Sequence, residues 1–143
     1  MNFLEKRGTA CAAPNGAPTS PAAAKPATTK QAGDAAEDSA LAHLQGAGLR
    51  LLARNYRTPG RGGGEIDLIM RERDGTVVFV EVRARSGVGH GGAAASIGPF
   101  KRQRIVFAAR HYLMRQRQLP PCRFDVVLIE SEIEWLRAAF DAD

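Results

Sequence analysis

The sequence is poor in cysteine, with two in 143 residues. Cys11 lies in a stretch without a core and Cys122 beside an expected strand, so they suggest no disulfide framework, and no Cys/His spacing resembles a zinc site. A reducing, cytoplasmic setting is the default expectation. The N-terminus lacks the apolar segment of a secretory signal, and no window is apolar for long enough to span a membrane. No membrane partner is therefore expected. Internal repeats are absent. Ser86 and Ser96 have no clear partner base, and His43, His90 and His111 fit no triad or metal spacing, which leaves serine, cysteine and glycosidase chemistry without support.

Large apolar residues are also missing from a whole region. From Met1 to about Gly33 the chain is dominated by Ala, Pro, Thr, Gly and Lys, with almost no large apolar residues after Leu4, and cannot bury enough surface to offset its ordering entropy. Residues 1–33 are expected to form a disordered Ala/Pro-rich tail, and residues 34–143 a single folded domain. The composition is 44% hydrophobic, enough for one core. Twenty Lys and Arg against fifteen Asp and Glu give a net charge of +5, which favours a polyanionic partner only weakly.

A helix is expected from Asp34, where Asp34-Ala35-Ala36-Glu37 fits a capping box and Ala40, Leu41 and Leu44 form an apolar stripe. Strands follow at Leu49–Arg57, Glu65–Glu72 and Thr76–Arg85, the last two joined as a hairpin. The loop from Ser86 to Gly98 is long enough to suggest a functional or mobile role. A second helix is expected from Pro99 to about Gln118, a fourth strand at Arg123–Glu130, and a short amphipathic ending at Ile133–Phe140. This order points to an α/β fold, with a mixed sheet and helices packed on it.

Hairpin register decides what the acidic residues can do. A two-residue Asp74-Gly75 loop mixes polar and apolar residues on both faces. A three-residue loop, Arg73-Asp74-Gly75, puts Gly in the left-handed third position of a type I turn with a G1 bulge. Ile66 then meets Val82, Leu68 meets Val80 and Met70 meets Val78 as one apolar layer. The other face pairs Ile69 with Phe79, Asp67 with Glu81 and Glu65 with Arg83. A one-residue slip exchanges faces, so the apolar pattern selects this register.

It sets two carboxylates side by side, which is destabilising unless something compensates. Three compensations are open: protonation of one carboxylate, screening by a cation such as Arg83, or a bridging metal. A plain surface acidic pair is the simplest alternative. Carboxylate oxygens with open positions suit Mg²⁺ or Mn²⁺. Glu37 shares the core-facing stripe of the first helix and could join the pair, or could serve only its capping box. Lys101, in the first turn of the second helix, could contact phosphate or simply snorkel.

The segments Gly64-Glu65-Ile66-Asp67-Leu68-Ile69 and Phe79-Val80-Glu81-Val82-Arg83-Ala84-Arg85 resemble the YraN family of bacterial proteins. Gly91-Gly92-Ala93-Ala94-Ala95-Ser96 and Cys122-Arg123-Phe124-Asp125-Val126-Val127 extend the resemblance from about Asp34 to the C-terminus. The family is placed in the PD-(D/E)XK nuclease superfamily. This implies a restriction-endonuclease-like αβββαβ core, with a mixed four-stranded sheet flanked by helices, like that of Holliday-junction resolvases. It also implies metal-assisted phosphodiester hydrolysis on nucleic acid, with DNA the expected partner. Asp67, Glu81 and the helical Glu37 would hold Mg²⁺ or Mn²⁺, with the Val82 carbonyl as a further ligand. Arg83 stands where the superfamily has lysine; it can clamp phosphate but cannot be a general base. With Arg83 and Lys101 orienting the phosphate, Arg61, Arg85, Arg102 and Arg104 would track the backbone. No motif reads bases, so structure-selective recognition is expected. A catalytically inactive nucleic-acid-binding domain and a protein-interaction module are the rival expectations.

Overall fold

A computed structural model describes residues 28–84 and 97–142. The expected tail, apart from its last few residues, lies outside the described residues, as do Arg85 and most of the 86–98 loop.

Helix α1 (Thr29–Gly46) starts earlier than Asp34. Thr28 is the cap: its hydroxyl accepts from the Gln31 amide at 3.2 Å, and the Gln31 side chain accepts from the Thr28 amide at 2.9 Å. The expected capping box at Asp34 is therefore replaced by one formed by Thr28 and Gln31. Ala36, Ala40 and Leu44 are the buried positions of α1, at four-residue spacing.

Strands β1 (Arg50–Arg57), β2 (Glu65–Arg71), β3 (Val77–Ala84), β4 (Cys122–Ile129) and β5 (Ile133–Phe140) stand in that order in one sheet. The pairs β1/β2, β2/β3 and β4/β5 are antiparallel. β3 and β4 are parallel, joined by a crossover that contains helix α2 (Pro99–Leu113).

The expected four-stranded sheet thus becomes five-stranded, because Ile133–Phe140 is a strand. Its alternation is interrupted by a bulge at Ala138, which has φ of 50°, and this gives the segment an irregular apolar spacing. A buried carboxylate pins the bulge. Asp125 is fully buried and accepts from the Ala138 amide (2.9 Å), the Trp135 indole (2.9 Å) and the Arg123 guanidinium (3.0 and 3.1 Å). Arg123 in turn donates to Glu72 at 2.7 Å, so three strands are tied together.

The two helices cover opposite faces. Ala40 and Leu44 of α1 pack with Leu68, Met70, Val78, Val80 and Val127. Ile105, Ala108 and Ala109 of α2 pack with Ile69, Phe79, Phe124 and Val126. β3 sits between both layers, so Val77 to Glu81 are buried continuously instead of alternately. Gly64 lets α2 approach the sheet: a Cβ there would strike the Arg104 carbonyl and come within 2.9 Å of the Ala108 Cβ.

A candidate acidic site where two strands part

The hairpin adopts the three-residue turn. Gly75 has φ of 97°, the Glu72 amide donates to the Thr76 carbonyl at 2.9 Å, and Leu68, Ile69 and Met70 pair with Val80, Phe79 and Val78. The paired ladder reaches Leu68 and Val80 and stops there. Beyond it, the Asp67 carboxylate takes the place of a backbone carbonyl and accepts from the Val82 amide at 2.8 Å.

The strands are irregular at this point. Asn55, level with Asp67 on β1, has φ of 51°. Arg54 bonds to α1, whereas Tyr56 packs on the α2 side, so residues two apart face opposite ways. β2 does the same about Asp67, with Leu68 in the α1-side core and Ile66 in the α2-side core. Ile66 was expected in one layer with Leu68, Met70 and Val82. That arrangement assumed an unbroken ladder, and the kink overturns it.

The irregularity brings groups from both layers together. Glu81 is buried and its Oε1 lies 3.4 Å from the Lys101 ammonium at the start of α2. Glu81 Oε2 is buried with no hydrogen-bond partner among the described residues. Burial, and then the charge of Asp67, push the Glu81 carboxyl up to about 8, with Lys101 opposing. Glu37 arrives from α1. Its carboxyl is also raised, first by burial and then by Asp67, while Arg54 (3.4 Å) pulls the other way. Asp67 is thus the centre to which both glutamates couple.

Glu37, Asp67, Glu81, Val82 and Lys101 therefore share one neighbourhood, as expected. Among the described residues no three His, Cys, Asp or Glu are set closely enough to cage a metal, so Glu37 stands outside a tight ligand set. Val82 contributes its amide, directed to Asp67. Arg83 is half-buried on β3 and engaged. Arg104 donates to the Gly63 carbonyl at 3.2 Å, and Arg61 is exposed in the same glycine-rich turn. Arg102 leads elsewhere, its guanidinium 5.5 Å from the Phe140 ring centre.

Arg54 and Asn55 went unnoticed in the sequence. Their only signal was two polar residues interrupting an otherwise apolar strand.

The donor set fits a hard divalent cation. Two carboxylates are adjacent, one oxygen is buried and unpartnered, and the burial and repulsion from Asp67 that raise Glu81 are what a cation offsets. Mg²⁺ typically binds through one or two carboxylates and retains water in its other positions.

A five-stranded mixed sheet between two helices, parted at a carboxylate pair of which Glu81 is buried, defines the class: an α/β protein with an acidic site inside its sheet. The chain belongs to the uncharacterised protein family UPF0102, whose pattern matches residues 36–129. A UPF0102 protein of Paracidovorax citrulli is 65% identical over 143 residues, covering 99% of each chain. One from Albidiferax ferrireducens is 74% identical over 116 residues, covering 80% of this chain and 91% of its own. One from Polaromonas naphthalenivorans is 58% identical over 152 aligned positions, covering 99% of each. No helix among the described residues is long and apolar enough to cross a membrane.

Proposed function

We propose that this protein is a divalent-metal-dependent nuclease that hydrolyses phosphodiester bonds in nucleic acid of the cytoplasm, with DNA the first substrate to test. One observation carries the reading: Glu81, beside a half-buried Asp67, is buried where two strands part, with its Oε2 unsatisfied. A buried carboxyl oxygen left without a hydrogen bond carries a desolvation cost, so its retention calls for a ligand.

Mg²⁺ or Mn²⁺ in this place supplies a Lewis acid and a nucleophile at neutral pH. Asp67 and Glu81 provide the anionic cradle, and Glu37 adds negative charge from the α1 side. The Val82 amide holds Asp67 in one orientation. Glu81 must give up its proton to bind a cation, so affinity rises as pH climbs toward about 8. Lys101 is half-exposed and 3.4 Å from Glu81, placed to exchange this contact for a phosphate oxygen. Arg83 keeps its charge throughout and serves to hold phosphate.

That permanent charge also favours a second reading, a domain that binds nucleic acid without cutting it. Incubation with branched and single-stranded DNA and Mn²⁺, beside an Asp67→Ala/Glu81→Ala variant, separates the two. Cleavage by wild type alone supports the nuclease. Binding in both proteins with cleavage in neither supports the second reading, and equal cleavage in both marks contamination and refutes the nuclease assignment.

A further inference from the structure

The outer face of α2 carries two exposed aromatic rings that the acidic site does not use. Phe100 is 74% exposed and Phe107 54% exposed. Seven residues are two helical turns, so the rings project from one side, about 10 Å apart along the axis. A groove of about 500 Å³ runs between them and the glycine-rich turn, lined by Gly62, Phe100, Gln103, Arg104 and Phe107.

Charge identifies what fits there. Helix α2 contains Lys101, Arg102, Arg104 and Arg110 and no acidic residue. The turn from Thr58 to Gly64 contains Arg61 and no acidic residue. A second copy of this chain would set these cations against one another. A protein helix would need a continuous apolar strip at three- and four-residue spacing, but the residues three and four after Phe100 are Gln103 and Arg104. Rings separated by hydrogen-bonding and cationic side chains match bases separated by phosphates. Aromatic faces stack bases regardless of sequence, while arginines follow the backbone. At 3.4 Å per nucleotide, the 10 Å between the rings spans about three nucleotides.

We propose that Phe100 and Phe107, with Arg61 and Arg104 beside them, form a stacking platform for unpaired bases, so that the substrate carries a single-stranded segment. This rests on the nucleic-acid reading above and narrows it. Lys101 follows Phe100 directly and contacts Glu81, so a strand held on the platform is anchored next to the acidic pair.

The test uses the full chain and fluorescence anisotropy with labelled oligothymidylate, a base-free strand of the same length, and a hairpin duplex. Wild type is compared with Phe100→Ala/Phe107→Ala and Phe100→Leu/Phe107→Leu. Loss of on the order of tenfold in single-strand affinity per ring is expected in both variants. Duplex affinity should change less than threefold, and the base-free strand should bind all three proteins alike. Because both rings are exposed, the melting temperature should stay within about 2 °C. Full affinity in the leucine variant, equal losses on duplex and single strand, or a wild-type dimer that the variants dissolve would each overturn the platform. No nucleic-acid binding by wild type would instead sink the reading it rests on.

Discussion

Replacing Glu81 with glutamine tests the acidic pair through stability alone. In the folded protein Glu81 holds its proton up to about 8, against 4.5 as an ordinary carboxyl, owing to burial and the charge of Asp67. Between those values the native state binds a proton that the unfolded chain has lost. The contribution of Glu81 to stability is therefore fully present below pH 4.5 and is lost as pH rises through 8. Each unit of pKa difference corresponds to about 1.4 kcal/mol, which sets a ceiling of roughly 5 kcal/mol. Water entry and Lys101 relieve part of the ionised state, so roughly 2 kcal/mol is the working expectation. Glu81→Gln has nearly the same shape and never ionises. Urea or thermal unfolding of both proteins from pH 4 to 9 should give parallel behaviour at the acid end. By pH 9 the variant should lead by about 2 kcal/mol, roughly 6–10 °C in melting temperature. Millimolar Mn²⁺ should close that gap by stabilising wild type and leave Glu81→Gln unmoved. Curves that stay parallel across the whole range would show that Glu81 is neither desolvated nor coupled to Asp67.

Asp67→Asn removes the charge that opposes Glu81 ionisation, so the alkaline loss of stability should shrink and shift to lower pH, read by the same titration. Lys101→Met should do the reverse and raise the Glu81 midpoint further, visible in carboxyl ¹³C chemical shifts against pH. Asp125→Ala leaves Arg123, the Trp135 indole and the Ala138 amide without their acceptor; a loss of about 3–5 kcal/mol is expected in urea denaturation, with β5 the first to lose amide exchange protection. Gly64→Ala places a methyl against the α2 backbone and should cost about 1–3 kcal/mol or more, whereas alanine at Gly46, which has open space around it, should be neutral or stabilising.

Much of this arrangement was legible in the chain itself. The apolar alternation of Ile69, Met70, Val78 and Val80, with glycine third in the turn, admits one hairpin register, because slipping by one residue would turn an entire apolar face to water. That register brings Asp67 to Glu81. The glycine-rich turn and Pro99 bound the neighbouring elements correctly, since backbone punctuation is a local property.

Other features depended on contacts between segments remote in sequence. Fifth-strand formation at Ile133–Phe140 needs Asp125, more than a dozen residues earlier, to hold the Ala138 bulge. The exchange of Ile66 to the α2-side core follows from the left-handed Asn55 on a different strand. The sequence left Lys101 to snorkel or to contact phosphate; its ion pair with Glu81 exists because Gly64 lets α2 approach the sheet. Sequence alone determined the identity of the two carboxylates and the hairpin register that leads up to them, because side-chain period and turn chemistry act over a few residues. Only the tertiary structure decided that Glu81 is buried and keeps an unpaired oxygen, and that a cation from one helix and an acid from the other converge on the two. Burial and electrostatic coupling depend on what packs around a group, and that is assembled from the whole chain.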